Sequence, residues 1–433
     1  MVEDGFGAVD GIQVGDFGTL IPILVALSKT GQIALGPSLV FGGLFNLVTG
    51  IYYDIPMCVQ PMKSIAAIAL SSALTAPQIS AAGLWVSGLT LFLAQLRVIR
   101  IANALIPLPI VRGIQLGTGL TLIINGCAKV LASHRFDFLH YDWMDNYLVA
   151  FVGFVGALWC YGWRRNPGAV LLFGTGMVLA CVKVWAQENG DKIPGPGADW
   201  PTPRSPSWDD FRVGFTNAGL GQLPLTLLNS VIATSRLADD LFPERRRPVA
   251  SVTSVGTCVG MMNIIGIWFG SIPYCHGSGG LAAQYRFGAR SGTSIIILGL
   301  CKILLGAAFA PPLLTLFSAL PVSILGVMLA IAGMELCNAA KDSGGVTPAA
   351  ADSFLITAVT TGLLIGFAND GVGFLGGCFC AFFVWLQRRT ESGRRVEADF
   401  GVVVWGLWRD VVDAAVGDEG SVGKGKEVED VVV

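Results

Sequence analysis

Twelve apolar runs occupy most of this chain, each near the roughly 17–25 residues a helix needs to cross a bilayer. They lie near residues 13–29, 33–53, 79–96, 103–126, 146–162, 168–186, 218–238, 248–272, 292–310, 313–336, 351–368 and 370–386. In lipid every backbone polar group must find an internal partner, which for runs of this length means helices. Composition agrees. Of 433 residues 53% are hydrophobic and only 13% charged, where soluble domains carry about 25% charged. The 56 glycines suit helices that pack backbone against backbone. The fold class is an all-α polytopic membrane protein, with the lipid bilayer as its first partner. The net charge of −2 says nothing about partners, since most charges lie in loops, but no basic tract of nucleic-acid type appears and no nucleic-acid partner is expected.

The ten cysteines fall mostly inside apolar runs and act as small hydrophobes. They show neither a disulfide framework nor zinc spacing, so no metal site and no cofactor is expected. Residues 1–12 are acidic, with Glu3, Asp4 and Asp10 and no basic stretch before the first apolar run. They read as a cytosolic tail rather than a cleaved signal.

Two further segments, near 62–74 and 277–287, are apolar at their cores but too short to span alone. Counting them gives about fourteen transmembrane elements. With the N-terminus in the cytosol, the connections after even-numbered elements carry Arg97 and Arg100, Arg164 and Arg165, Arg245 to Arg247, and Arg286 and Arg290. Arg388 and Arg389 open the C-terminal tail, 387–433, which reads as cytosolic and disordered. This is the arginine bias expected of cytosolic loops, and it places both termini inside.

The Pro-rich stretch 187–212 divides the chain into halves, 13–186 and 213–386, with this linker on the extracytosolic side. Three matches recur in the same order. GTLIP (Gly18–Pro22) answers GQLP (Gly221–Pro224), I-P-x-C at Ile55 answers I-P-x-C at Ile272, and LPIVRG (Leu108–Gly113) answers LPVSILG (Leu320–Gly326). Seven elements per half put the second copy in upside down, a 7+7 inverted repeat. Inverted repeats with interrupted helices at matching positions are the mark of secondary transporters that bind substrate near the midplane.

The interrupted helices are the third and tenth elements. IPMCVQPMKSIAAIAL (Ile55–Leu70) breaks at two prolines and then starts a short helix, and IPYCHGSGGLAA (Ile272–Ala283) repeats the device. A helix start has unpaired N–H groups and the positive end of the peptide dipoles, so it attracts anions. Two such starts facing each other make an anion site. Its candidate residues on one side are Gln60, Pro61, Met62, Lys63 and Ser64; on the other they are Cys275, His276, Gly277, Ser278, Gly279 and Gly280. Lys63 supplies a full positive charge, Gln60 and Ser64 neutral donors, and the glycines bare N–H groups. His276 reads either as a proton sensor or as a hydrogen-bonded structural residue. Gln222 and Asn229, two helical turns apart on one face of the eighth element, are substrate or interhelical contacts. Thr19 corresponds to Gln222 through the repeat. Asp16, Arg112 and Glu335 are candidates for coupling or gating, since ionisable groups within a membrane default to function.

The segments GDFGTLIP (Gly15–Pro22), IPMCVQPMKSIAA (Ile55–Ala67), QLPLTLLNSVIA (Gln222–Ala233) and YCHGSGGLAAQYRFGARSG (Tyr274–Gly292) resemble the signature segments of the eukaryotic molybdate transporter family, a distant branch of the sulfate permease superfamily. The resemblance runs over residues 11–386 and implies the fold of sulfate and uracil permeases. In that fold the third and tenth elements meet as half-helices. A core domain (elements one to four and eight to eleven) moves against a gate domain (five to seven and twelve to fourteen), which commonly dimerises. The resemblance also implies molybdate as substrate, with tungstate as competitor. The sulfate permeases' C-terminal regulatory domain has no counterpart in this sequence. A sulfate or general oxyanion carrier and an anion channel on the same fold are the alternatives. A nucleobase permease would want a carboxylate where Lys63 stands, and no HExxH-type site or triad points to an enzyme. The plasma membrane and the vacuolar or other organellar membranes are equally open.

Overall fold

Some helix starts in this chain are set by polar residues just outside the apolar runs. In the computed structural model the Thr75 hydroxyl accepts from the Gln78 N–H at 3.4 Å, and Gln78 Oε1 accepts from the Thr75 N–H at 3.0 Å. This reciprocal capping box starts the fourth helix at Ala76, three residues before the apolar run. Ser207 and Asp210 form the same box and start the eighth helix at Trp208, ten residues before its run.

The structure describes residues 17–99, 106–133, 145–161, 168–186, 205–245, 249–286, 289–338, 340 and 348–391, with short pieces of 194–203. In order these form α1 (Phe17–Lys29), α2 (Leu35–Tyr53), β1 (Val59–Pro61), α3 (Lys63–Ser71), α4 (Ala76–Gln95), α5 (Leu108–Ser133), α6 (Tyr147–Tyr161) and α7 (Gly168–Ala186). Then come α8 (208–241), α9 (Val252–Gly266), β2 (Tyr274–His276), α10 (Ser278–Arg286), α11 (Thr293–Ala308), α12 (Ala310–Ala319), α13 (Val322–Asn338), α14 (Pro348–Phe367) and α15 (Asp370–Glu391). Two π-helical stretches, Phe215–Gly219 and Thr226–Ala233, interrupt α8 on either side of Pro224. Bulges of this kind are frequent at functional sites.

One expected element is broken. The run 313–336 divides at Pro321 into α12 and α13, which turn by 97°. Leu320 is extended (φ −57°, ψ 130°), as the residue before a proline must be, so the helix ends there.

Close packing follows the glycines. A Cβ built on Gly299 of α11 would lie 2.6 Å from the carbonyl oxygen of Gly43 on α2, so these backbones touch with no room for a side chain. Gly119 and Gly333 do the same for α5 and α13. Among the described residues five stretches are long and apolar enough to cross a membrane by themselves: α2, α4, Leu108–Ala128, Val252–Phe269 and Asp370–Arg388. The apolar stretches Leu20–Lys29, Tyr147–Cys160, Leu171–Ala186, Thr293–Ala308 and Ala351–Phe367 are shorter. Phe151, Trp159, Trp185, Phe379 and Phe383 stand exposed on the outer faces, the surface an integral membrane protein presents to lipid. Ile23, Leu27, Ile65, Ile68 and Ile114 fill the centre around α3.

Candidate functional site: two half-helix starts joined by a buried ladder

The two I-P-x-C segments meet. β1 and β2 pair antiparallel in the register Val59 with His276, Gln60 with Cys275 and Pro61 with Tyr274, and all six residues are buried. Each strand then turns into a nine-residue helix, α3 or α10. A two-stranded ladder is marginal by itself, and here two asparagines anchor it. Asn46 Oδ1 on α2 accepts from the Val59 N–H at 2.7 Å. Asn263 on α9 accepts from the Tyr274 N–H at 2.6 Å and donates through Nδ2 to the Tyr274 carbonyl at 2.5 Å. Neither was singled out from sequence, although each stands nine residues before its I-P-x-C isoleucine.

The N–H groups at the start of α3 are largely taken. The Met62 N–H donates to the Pro273 carbonyl at 2.9 Å. Those of Ser64 and Ile65 donate to Gln222 Oε1 at 3.1 and 3.4 Å. Gln222 Nε2 in turn donates to the Thr226 hydroxyl at 3.1 Å. Gln222 is therefore the cap that Met62, with no side-chain oxygen, cannot be. The start of α10 differs. Among the described residues the N–H groups of Ser278, Gly279 and Gly280 make no hydrogen bond, while the Ser278 hydroxyl donates to Asn229 Oδ1 at 2.7 Å. Gln222 and Asn229, paired by their spacing, thus serve one half-helix start each. Gly279 is exposed, and a Cβ there would meet nothing within 4 Å. At Gly280 a Cβ would collide with Cys58 Sγ and lie 2.8 Å from Gln60 Nε2. Gln60 thus lies over the first turn of α10, and the open space begins beside Gly279.

Lys63 opens α3 half-buried, and among the described residues its ammonium has no hydrogen-bond or ion-pair partner. Cys275 lies within hydrogen-bonding range of Ser230 and faces the charge of Lys63. His276, the next residue along the strand, is turned the other way. Its Nε2 is 3.3 Å from Cys258 Sγ, and its ring stands edge-on to Tyr53 with centroids 6.4 Å apart. Arg112 sits half-buried on α5. Asp16 and the side chains of Thr19 and Glu335 lie outside the described residues.

Two charged residues were missed. Lys302 of α11 is buried, with Nζ 3.5 Å from the Val59 carbonyl, so Lys63 is not the only cation near the ladder. It sits mid-run in CKILLG, where nothing in the sequence ties it to β1. Asp370 opens α15, fully buried, and its Oδ2 accepts from the Ser64 hydroxyl. In sequence it reads as a helix-capping residue between two spans, and only the packing of α15 on α8 brings it to α3.

The comparisons with known proteins agree with this architecture. A family model described as "Molybdate transporter of MFS superfamily" matches residues 9–122 and 214–336. Molybdate transporter 2 of Arabidopsis thaliana is 36% identical over 415 residues, 87% of this chain and 86% of that protein. Molybdate transporter 1 of Chlamydomonas reinhardtii is 32% identical over 465 residues, 84% of this chain and 89% of that protein. Among solved structures, the transmembrane domain of the cyanobacterial bicarbonate transporter BicA superposes with a TM-score of 0.61 at 14% identity, covering 87% of this chain and 98% of that one. The murine anion transporter Slc26a9, in its inward-facing state, gives 0.62 at 14%, covering 90% and 69%. At that identity the likeness is one of fold alone. With relatives this similar over most of its length, the chain belongs to the molybdate transporter family.

Proposed function

We propose that this protein carries molybdate across a membrane by alternating access, holding the dianion between the starts of α3 and α10. The observation that carries this is a pair of positive features at the two half-helix starts: among the described residues neither the Lys63 ammonium nor the N–H groups of Ser278 to Gly280 have a hydrogen-bond partner. Molybdate is a tetrahedral dianion, and removing its water requires donors that converge from more than one direction. The α10 start supplies three N–H groups and its dipole, α3 supplies its dipole and Lys63, and Gln60 adds a neutral donor. A helix start is worth up to about 2 kcal/mol to an anion in partly buried geometry, and hydrogen bonds to a charged group about 1.5–3 kcal/mol each. Asn229 orients Ser278, and Gln222 fixes α3. His276, turned toward α2 and α9, stands behind this shell.

The architecture we infer is the 7+7 inverted repeat, with α12 an extra surface turn between the eleventh and twelfth spans. Three features support it: the matching asparagine anchors, the antiparallel ladder, and the reciprocal packing of α2 on α11 and α4 on α9. Elements one to four and eight to eleven then form the moving core and the rest the gate, with both termini cytosolic and dimerisation through the gate. The test is molybdate uptake into proteoliposomes, competed separately with tungstate and with sulfate. Saturable uptake blocked by tungstate but not by excess sulfate is the expected result. Equal block by sulfate would make this a general oxyanion carrier, and current without saturation would make it a channel.

A further inference from the structure

We propose that Asp370 binds one proton for each dianion that enters, and that this proton switches the Ser64 hydroxyl from the protein to the substrate. The proposal rests on the reading of the α3 start as half of the anion site. Four observations carry it. Asp370 is fully buried at the first position of α15, and its Oδ2 holds the Ser64 hydroxyl. Its other oxygen, Oδ1, is buried and has no hydrogen-bond partner among the described residues. The contact is built in: a Cβ on Gly221 would overlap Asp370, a Cβ on Gly371 would overlap the Thr216 carbonyl, and Asn369 Nδ2 donates to Asn217 Oδ1 at 3.0 Å. Ser64 is also the residue after Lys63 and shares the cap on Gln222.

A serine hydroxyl has one hydrogen to donate. While Asp370 is ionised, that hydrogen goes to Oδ2, and Ser64 presents only lone pairs to its other neighbours. It then repels an oxyanion. A proton taken from solvent onto Oδ2 reverses the bond: Asp370 donates to Ser64 Oγ, and the serine hydrogen is free to turn to an oxygen of the anion. No other bond changes, so the balance is one proton and one dianion in. Charge points the same way. A dianion brings two negative charges to the α3 start, and an ionised Asp370 on Ser64 would add a third. By the domain division proposed above, α15 belongs to the gate and α3 to the core, so the switch spans the boundary that moves.

Other ionisable groups on the surrounding elements are placed differently. Lys63 is the one on α3, and Arg112 is on α5. On α8, Arg212 pairs with Asp209 at the exposed start, Asp210 caps Ser207, and Arg236, Asp239 and Asp240 lie at the far end. Asp352 of α14 is bound to Arg388 at the opposite end of α15. Among these described side chains only Asp370 touches Ser64.

The test is calorimetric titration of the purified full-length protein with molybdate, in two buffers of different ionisation enthalpy and across neutral pH. The wild type should take up one proton per molybdate and lose affinity about tenfold per pH unit once Asp370 is ionised. Asp370→Asn, whose amide donates to Ser64 Oγ as the protonated acid does, should bind at every pH as the wild type binds at low pH, with no proton uptake. Zero proton uptake by the wild type, sodium-dependent binding without protons, or an unchanged pH slope in Asp370→Asn would overturn the proposal. The wild-type proton count decides the matter even if the variant fails to fold. Should Lys63→Ala bind molybdate like the wild type, the site reading itself fails. Should it bind poorly while the wild type takes up no proton, only the role of Asp370 falls.

Discussion

Replacing Gly279 by valine separates the folding of the half-helix pair from its use. Gly279 is the second residue of α10, and a Cβ there meets no atom within 4 Å. The added side chain therefore costs no packing, and the exchange of glycine for valine in a helix is worth only a few tenths of a kcal/mol in the variant's favour. Thermal unfolding in detergent should move little, since substitutions that touch nothing stay within about ±0.5 kcal/mol. Binding should collapse, because the side chain fills the space in front of the N–H groups of Ser278, Gly279 and Gly280. Hydrogen bonds to a charged partner contribute about 1.5–3 kcal/mol each. Losing even two of the three removes about 3–6 kcal/mol, a loss of affinity of roughly 100-fold to more than 10,000-fold. Gly280→Ala should do the opposite first. Its methyl runs into Cys58 Sγ and the Gln60 amide, an overpacking of about 1–3 kcal/mol that lowers the unfolding temperature. Equilibrium binding of molybdate and uptake into proteoliposomes read the functional side. A Gly279→Val protein that melts like the wild type and also transports like it would remove the α10 start from the anion site.

Lys63→Ala should weaken molybdate binding by at least tenfold with little change in melting temperature, because among the described residues the ammonium has no protein partner to lose; Lys63→Arg should restore part of it, and wild-type affinity in the alanine variant would exclude the lysine. Asn263→Ala removes three hydrogen bonds, to the Tyr274 N–H, the Tyr274 carbonyl and the Val259 carbonyl. Buried groups left unpaired cost about 1–3 kcal/mol each, so this variant should be strongly destabilised in thermal unfolding, and an unchanged melting curve would deny the ladder its anchor. Asp352→Asn breaks the two-bond pair with Arg388 at 2.8 and 3.1 Å. With those side chains 26% and 41% exposed, the loss should stay within about 1 kcal/mol; a larger shift would mean that this end of α15 is held more tightly than its exposure implies.

Periodicity and helix-breaking residues are local, and what depends on them was legible in the sequence. The apolar runs located most helices, and Gly168–Ala186 matched its run at both ends. The paired I-P-x-C segments marked the two half-helices, whose first turns hold Lys63 and the glycines. The seven-residue spacing of Gln222 and Asn229 put both on one face of α8. Tertiary packing decided which half-helix each of them serves. It also decided that the α3 start is capped while the α10 start is open, and that His276 turns away from Lys63. A strand alternates its side chains, but which face meets the site depends on what packs against the other. Asn46, Asn263 and Lys302 read as ordinary members of apolar helices, and Asp370 as a helix-capping residue. Their partners lie on other elements, up to 306 residues away for Asp370 and Ser64. No local pattern encodes such a contact, because it arises only when α15 closes on α8 and both close on α3.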